Sequence, residues 1–190
     1  MFASGCLVTE SPDFEPKQAP PSLFSHEQTP TTEVMLIFQE ASGYPLTEFF
    51  ARVLSEETNE PLKGVLLLDY GNGKSESGPW LYAATPFDVN AGRLSQGPRL
   101  LEPRPKFPFQ EASSTTVVKT GCHTITLATS HEFQGELGQF YCPEDPRDFA
   151  TLTWFITLCT PEGDCLLDDC PVNLGQEHEY CLQDFDQGAL

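Results

Sequence analysis

The chain has 190 residues, 28 of them acidic and 10 basic, for a formal net charge of −18. Hydrophobic residues make up 39% and aromatics 11%, enough apolar bulk for one core. No apolar run approaches the ~20 residues of a membrane span, and so negative a chain repels phosphate backbones. The sequence therefore predicts no membrane partner and no direct nucleic-acid binding.

Met1–Glu10 carries no Lys or Arg and no continuous apolar stretch, so it does not read as a secretory leader. Ala3-Ser4-Gly5-Cys6 has the small residues of a lipoprotein cleavage site without the leader before it, and Phe2 stands where myristoylation needs Gly. The expected location is intracellular, cytoplasmic or nuclear. Residues 1–32 hold five prolines, four acids and one Lys, with isolated apolar residues, and read as a disordered Pro-rich tail.

Order is expected from Glu33. Val34–Phe38 is a continuous apolar run, which suits a strand buried on both faces. After the turn Ser42-Gly43-Tyr44-Pro45, Leu46–Glu57 places Phe49, Phe50, Val53 and Leu54 on one stripe at helical spacing, bounded by Pro45 and Pro61. Val65–Tyr70 and Trp80–Ala84 read as further strands, completing a β-α-β-β module over 33–97. Gly71-Asn72-Gly73-Lys74-Ser75, between them, ends like a phosphate-binding loop. It lacks the earlier glycine, since Leu68 holds that place, and Glu76-Ser77-Gly78-Pro79 cannot open the helix that such a loop needs. It reads as a hairpin connection.

Residues 98–110 contain four prolines beside Arg99, Arg104 and Lys106, and read as an extended crossover. Pro105-Lys106-Phe107-Pro108 within it has the P-x-x-P pattern of an extended ligand, although its basic residues lack the usual spacing. A β-rich module follows over 111–174. Its clearest strand is Thr151–Leu158, where Leu152, Trp154, Ile156 and Leu158 form one apolar face. Pro161-Glu162-Gly163-Asp164 turns the chain back into Cys165-Leu166-Leu167. With a five-residue loop Cys159 and Cys165 face each other across that hairpin; with a four-residue loop they point to opposite faces. Residues 175–190 form an acidic C-terminal segment. The fold class expected from these elements is α+β: a mainly antiparallel, sandwich-like β-sheet, one principal helix near the N-terminus, and a single composite domain over 33–174.

Seven cysteines, six of them from Cys122 onward, are expected to be mostly reduced thiols in an intracellular chain. Cys165, Cys170, His178 and Cys181 are the best set for a metal, and zinc is the one cofactor the sequence admits. No C-x2-C pair supports it. Cys122-His123 and His131-Glu132 bring a base beside a nucleophile or an acid, but neither matches a catalytic motif. Charge is the stronger clue. From Tyr141 onward there are eleven acids and one base, Arg147. We expect a non-enzymatic interaction or accessory subunit that engages a basic protein surface through Glu162, Asp164, Asp168, Asp169, Glu177, Glu179, Asp184 and Asp186. The alternative is a Cys- or zinc-dependent enzyme built on the Cys-rich C-terminal segment.

Overall fold

The computed structural model describes residues 19–41, 43–56, 61–71, 80–93, 95–102, 104–109, 118–134, 142–145 and 147–165. Eleven strands lie among them, β1 (Ser22–Ser25), β2 (Val34–Phe38), β3 (Leu46–Glu48), β4 (Ala51–Leu54), β5 (Leu62–Leu68), β6 (Tyr82–Ala83), β7 (Phe87–Val89), β8 (Arg99–Leu100), β9 (Lys106–Pro108), β10 (Gly121–Ser130) and β11 (Ala150–Cys159). The larger sheet has the order β2-β11-β10-β5-β6, with β7 also on β5; β1-β4-β8 and β3-β9 form two smaller ones. Pairing is antiparallel throughout except between β2 and β11.

The principal helix expected over Leu46–Glu57 is not there, and the α+β class gives way to an all-strand architecture among the described residues. The segment makes β3 and β4 instead. Phe49, Ala51 and Val53 are fully buried while Arg52 faces solvent, which is the period of two of a strand. The helical stripe arose from counting Phe50 and Leu54 as core and passing over the small Ala51. Pairing decides the matter locally: β4 lies between β1 and β8, and Phe49 donates its N–H to the Pro105 carbonyl at 2.9 Å.

The Pro-rich tail expected over residues 1–32 is folded in from Ala19 onward; residues 1–18 lie outside the described residues. Ser22–Ser25 pairs with β4. Thr29 is buried, and its carbonyl accepts the indole N–H of Trp154 at 2.8 Å. Its hydroxyl bridges the N–H and C=O of Phe50. These bonds recruit a stretch that has little apolar surface of its own.

The core lies where the sheets face each other. Trp154, Ile156 and Leu158 of β11, Ile125 and Leu127 of β10, and Leu66 and Leu68 of β5 join Phe49, Ala51, Val53, Leu101, Phe107 and Phe109 in one cluster. Trp154 packs at 4.9 Å between ring centroids against Phe49, so the strand expected to carry the core does so. On the opposite face Val65, Leu67 and Ala128 meet Tyr70, Trp80, Cys142 and Phe149. Val65–Leu68 is thus buried on both faces, as its unbroken apolar run predicts. Val34–Phe38 is not. It is an edge strand in which only Ile37 is buried.

The crossover is a strand rather than a free ligand. Phe107 is fully buried, β9 pairs with β3, and Glu48 holds Arg104 at 3.2 Å and Lys106 at 2.8 Å. Hydrogen bonds from Lys106 and Arg104 hold the Glu48 carboxyl below its ordinary value.

Two expectations about cysteine change. Cys159 and Cys165 form a disulfide, and Cys122 and Cys142 are also disulfide-bonded, so every cysteine among the described residues is oxidised. The five-residue loop is the one adopted: Thr160 N–H donates to Asp164 O at 2.9 Å and Asp164 N–H to Thr160 Oγ1 at 3.2 Å. Cys165 therefore offers no thiolate to the expected zinc set, because the thiolate is the form that binds metal. Cys170, His178 and Cys181 lie outside the described residues, among which no group of three or more His, Cys, Asp or Glu is placed to hold a metal.

Candidate binding pocket

Strand β10 carries His123 near its start and is followed directly by His131, and each histidine is held by an aspartate. At the β5 end, Asp69 adopts a left-handed backbone (φ 52°) that turns its carboxylate back onto β10. Oδ1 accepts the Thr124 N–H at 2.9 Å and Oδ2 meets His123 Nδ1 at 2.7 Å. His123 Nε2 lies 2.8 Å from the Lys119 carbonyl. Both ring nitrogens face acceptors, so the imidazolium is the form in which both can donate. Burial opposes that charge, but the hydrogen bond and attraction of Asp69, with the Lys119 carbonyl, outweigh it and raise the His123 pKa. A raised folded pKa stabilises the fold fully below the unfolded value of ~6.5, and the contribution is lost as pH rises through the folded pKa. The wild type is therefore expected to exceed His123→Gln in urea-unfolding stability at pH 5.5 by more than at pH 9. A difference independent of pH would refute the charged pair.

The other end of β10 opens on a cavity of about 600 Å³ lined by Pro61, Lys63, His131, Glu132, Glu144, Asp145 and Asp148. That volume lies in the range of small-molecule pockets. Three backbone segments build it. Lys63 sits in β5 opposite Ser130, and His131 and Glu132 leave β10 directly. The third segment returns alongside: Phe133 bridges Pro143, Gln134 N–H donates to Cys142 O at 2.8 Å, and Glu144 N–H donates to Glu132 O at 3.0 Å. This ladder sets Glu132 and Glu144 side by side. A hydrogen bond between their carboxyls, with their mutual repulsion, raises the Glu144 pKa.

Asp148 is the hub beneath. It is 3% exposed, and it takes His131 N–H on Oδ2 at 2.7 Å and His131 Nδ1–H on Oδ1 at 2.7 Å. Ser130 Oγ is 3.0 Å from Oδ2. His131 Nε2 in turn lies 3.3 Å from Ser55 Oγ, at the end of β4. Unlike His123, this ring ends on a hydroxyl, which donates to a neutral imidazole as readily as it accepts from a charged one. Ser55, His131 and Asp148 thus follow the atom order of a nucleophile, base and orienting acid. Ser55 is 3% exposed, does not line the cavity, and gives its backbone N–H to the Gly92 carbonyl. The arrangement ties β4, β10 and β11 together beneath the pocket.

Asp145 is paired with Arg147 at 2.7 Å, and hydrogen bonds from Arg147 hold its carboxyl below its ordinary value. Of the acids expected to bind a partner, Glu162 and Asp164 stand exposed in the turn after β11. Asp168, Asp169, Glu177, Glu179, Asp184 and Asp186 lie outside the described residues. The pocket acids were counted in the sequence only as part of a charge excess. The readable signal was His131-Glu132 at a strand end, but its partner Asp148 comes 17 residues later, on another segment. The chain matches no protein-family model, no curated protein and no solved structure.

Proposed function

We propose that the protein is an interaction module whose acidic pocket takes a lysine or arginine side chain from a basic partner protein. The side-by-side placement of Glu132 and Glu144 in the cavity lining carries this reading. Two adjacent carboxyls repel each other, and a guanidinium between them would relieve that repulsion through a bidentate, charge-assisted contact. Asp145 and Asp148 add negative charge to the same cavity, opposed there by Lys63. An accessory-subunit role is consistent with an acidic cavity whose described lining holds no Ser, Thr or Cys. The disulfides at Cys122, Cys142, Cys159 and Cys165 favour an oxidising compartment over the intracellular location expected from the sequence.

A capped penta-arginine peptide is the probe. It is expected to bind the intact chain with an affinity that falls steeply with salt. The Glu132→Gln/Glu144→Gln variant is expected to weaken binding by about tenfold, the loss of one charged contact. Unchanged affinity in that variant would move the interaction elsewhere and end the pocket reading.

A further inference from the structure

The edge strand β2 presents an unusual surface. Gln39 N–H bonds to the Cys159 carbonyl at 3.3 Å, so residues 39, 37 and 35 turn their backbone groups toward β11. By alternation Val34, Leu36 and Phe38 turn theirs outward, and among the described residues no strand pairs with that side. The same three residues carry exposed apolar side chains, at 47%, 46% and 50%. Protein edges are ordinarily blunted by Lys, Pro, a bulge or an inward charge. This one has none of them in Val34-Met35-Leu36-Ile37-Phe38.

Charge says what fits. Glu33 precedes the strand and Glu40 follows it, and no Lys or Arg lies between Lys17 and Arg52 in the sequence. Phe38 is level with Cys159, the last residue of β11, and the turn beyond it holds Glu162 and Asp164, both exposed. Acids therefore gather at the C-terminal end of β2. A second copy, bringing another −18, is the occupant that this field opposes.

We propose that β2 is a strand-addition site for an extended segment of a basic partner protein. The segment runs antiparallel to β2, sets alternate apolar residues beside Val34, Leu36 and Phe38, and carries Lys or Arg at the end that reaches Glu40, Glu162 and Asp164. Main-chain bonds supply the affinity, and the apolar and basic positions supply the choice of partner. This shares with the pocket reading the sign of the partner's charge and stands without it.

The test uses the full, disulfide-intact chain and a synthetic peptide of alternating threonine and valine with two arginines at its N-terminus. Binding is expected to slow hydrogen exchange at the amides of Val34, Leu36 and Phe38. N-methylation of alternate peptide nitrogens, and separately Leu36→Lys at this exposed position, should each weaken binding by about tenfold or more through lost ladder bonds or lost apolar contact. The protection at these three amides should persist in Glu132→Gln/Glu144→Gln, which separates this site from the pocket. Absence of protection at the three amides overturns the proposal. So does a peptide-free dimer that Leu36→Lys converts to monomer, which would assign the edge to a second copy.

Discussion

Asp148→Ala is expected to destabilise the fold by about 3–5 kcal/mol, the range for breaking a buried pair from one side. The alanine would leave the His131 N–H and Nδ1–H facing no acceptor, and would remove the Ser130 hydroxyl's neighbour at 3.0 Å. Each buried donor left unmet costs about 1–3 kcal/mol, and water entering through the pocket that Asp148 lines would recover part of it. Asp148→Asn should be milder, at about 1–2 kcal/mol. Its amide oxygen can keep the His131 N–H, while its NH2 donates to Nδ1 once the ring changes tautomer and gives its remaining proton to Ser55. Urea unfolding would show this as a falling midpoint at constant slope. Equal stability of Asp148→Ala and the wild type would mean that the hub holds nothing.

Trp154→Ala should cost a similar amount, about 3–5 kcal/mol, as for other buried large-to-small changes. Trp154 is fully buried against Phe49 and ties Thr29 to β11 through its indole N–H. The informative variant is Trp154→Phe, which fills most of the space and deletes only that bond. It is expected to cost less and to speed amide exchange selectively at Phe50, whose N–H donates to the Thr29 hydroxyl at 2.8 Å. Exchange that rises uniformly along the chain would show that the indole bond does not anchor this segment.

What could be read from the sequence depended on whether side-chain size reported burial. In β11 large apolar residues alternate with threonines, and the buried face was evident. In β4 the buried row is Phe49, Ala51 and Val53, and the small middle member left Phe50 and Leu54 to suggest a helix. An unbroken apolar run was ambiguous in another way. Val65–Leu68 lies between packed faces and Val34–Phe38 lies at an edge, and composition does not distinguish the two. Ser22–Ser25 and Thr29 were hidden because backbone and hydroxyl hydrogen bonds, rather than apolar surface, bring them in. The cysteine expectation rested on an assumed compartment, and spacing along the chain does not show which thiols the fold brings close enough to bond. For the pocket, charge was visible as an excess but not as a place, since Lys63, His131 and Asp148 meet only through the pairing of β5, β10 and β11.

The bond between Trp154 and Thr29 closes a loop between residues 125 positions apart, and β2 likewise waits for β11. A ribosome adding about 5–20 residues per second would expose Val34–Phe38 for several seconds before its partner strand emerged. During that interval strands whose partners are closer in sequence, β1 on β4 among them, can assemble first, while β2 has no partner strand to join. Synthesis of this chain therefore favours an order in which β2 docks late, and a chaperone or translocation channel that shields residues 34–38 would act on the step most open to aggregation.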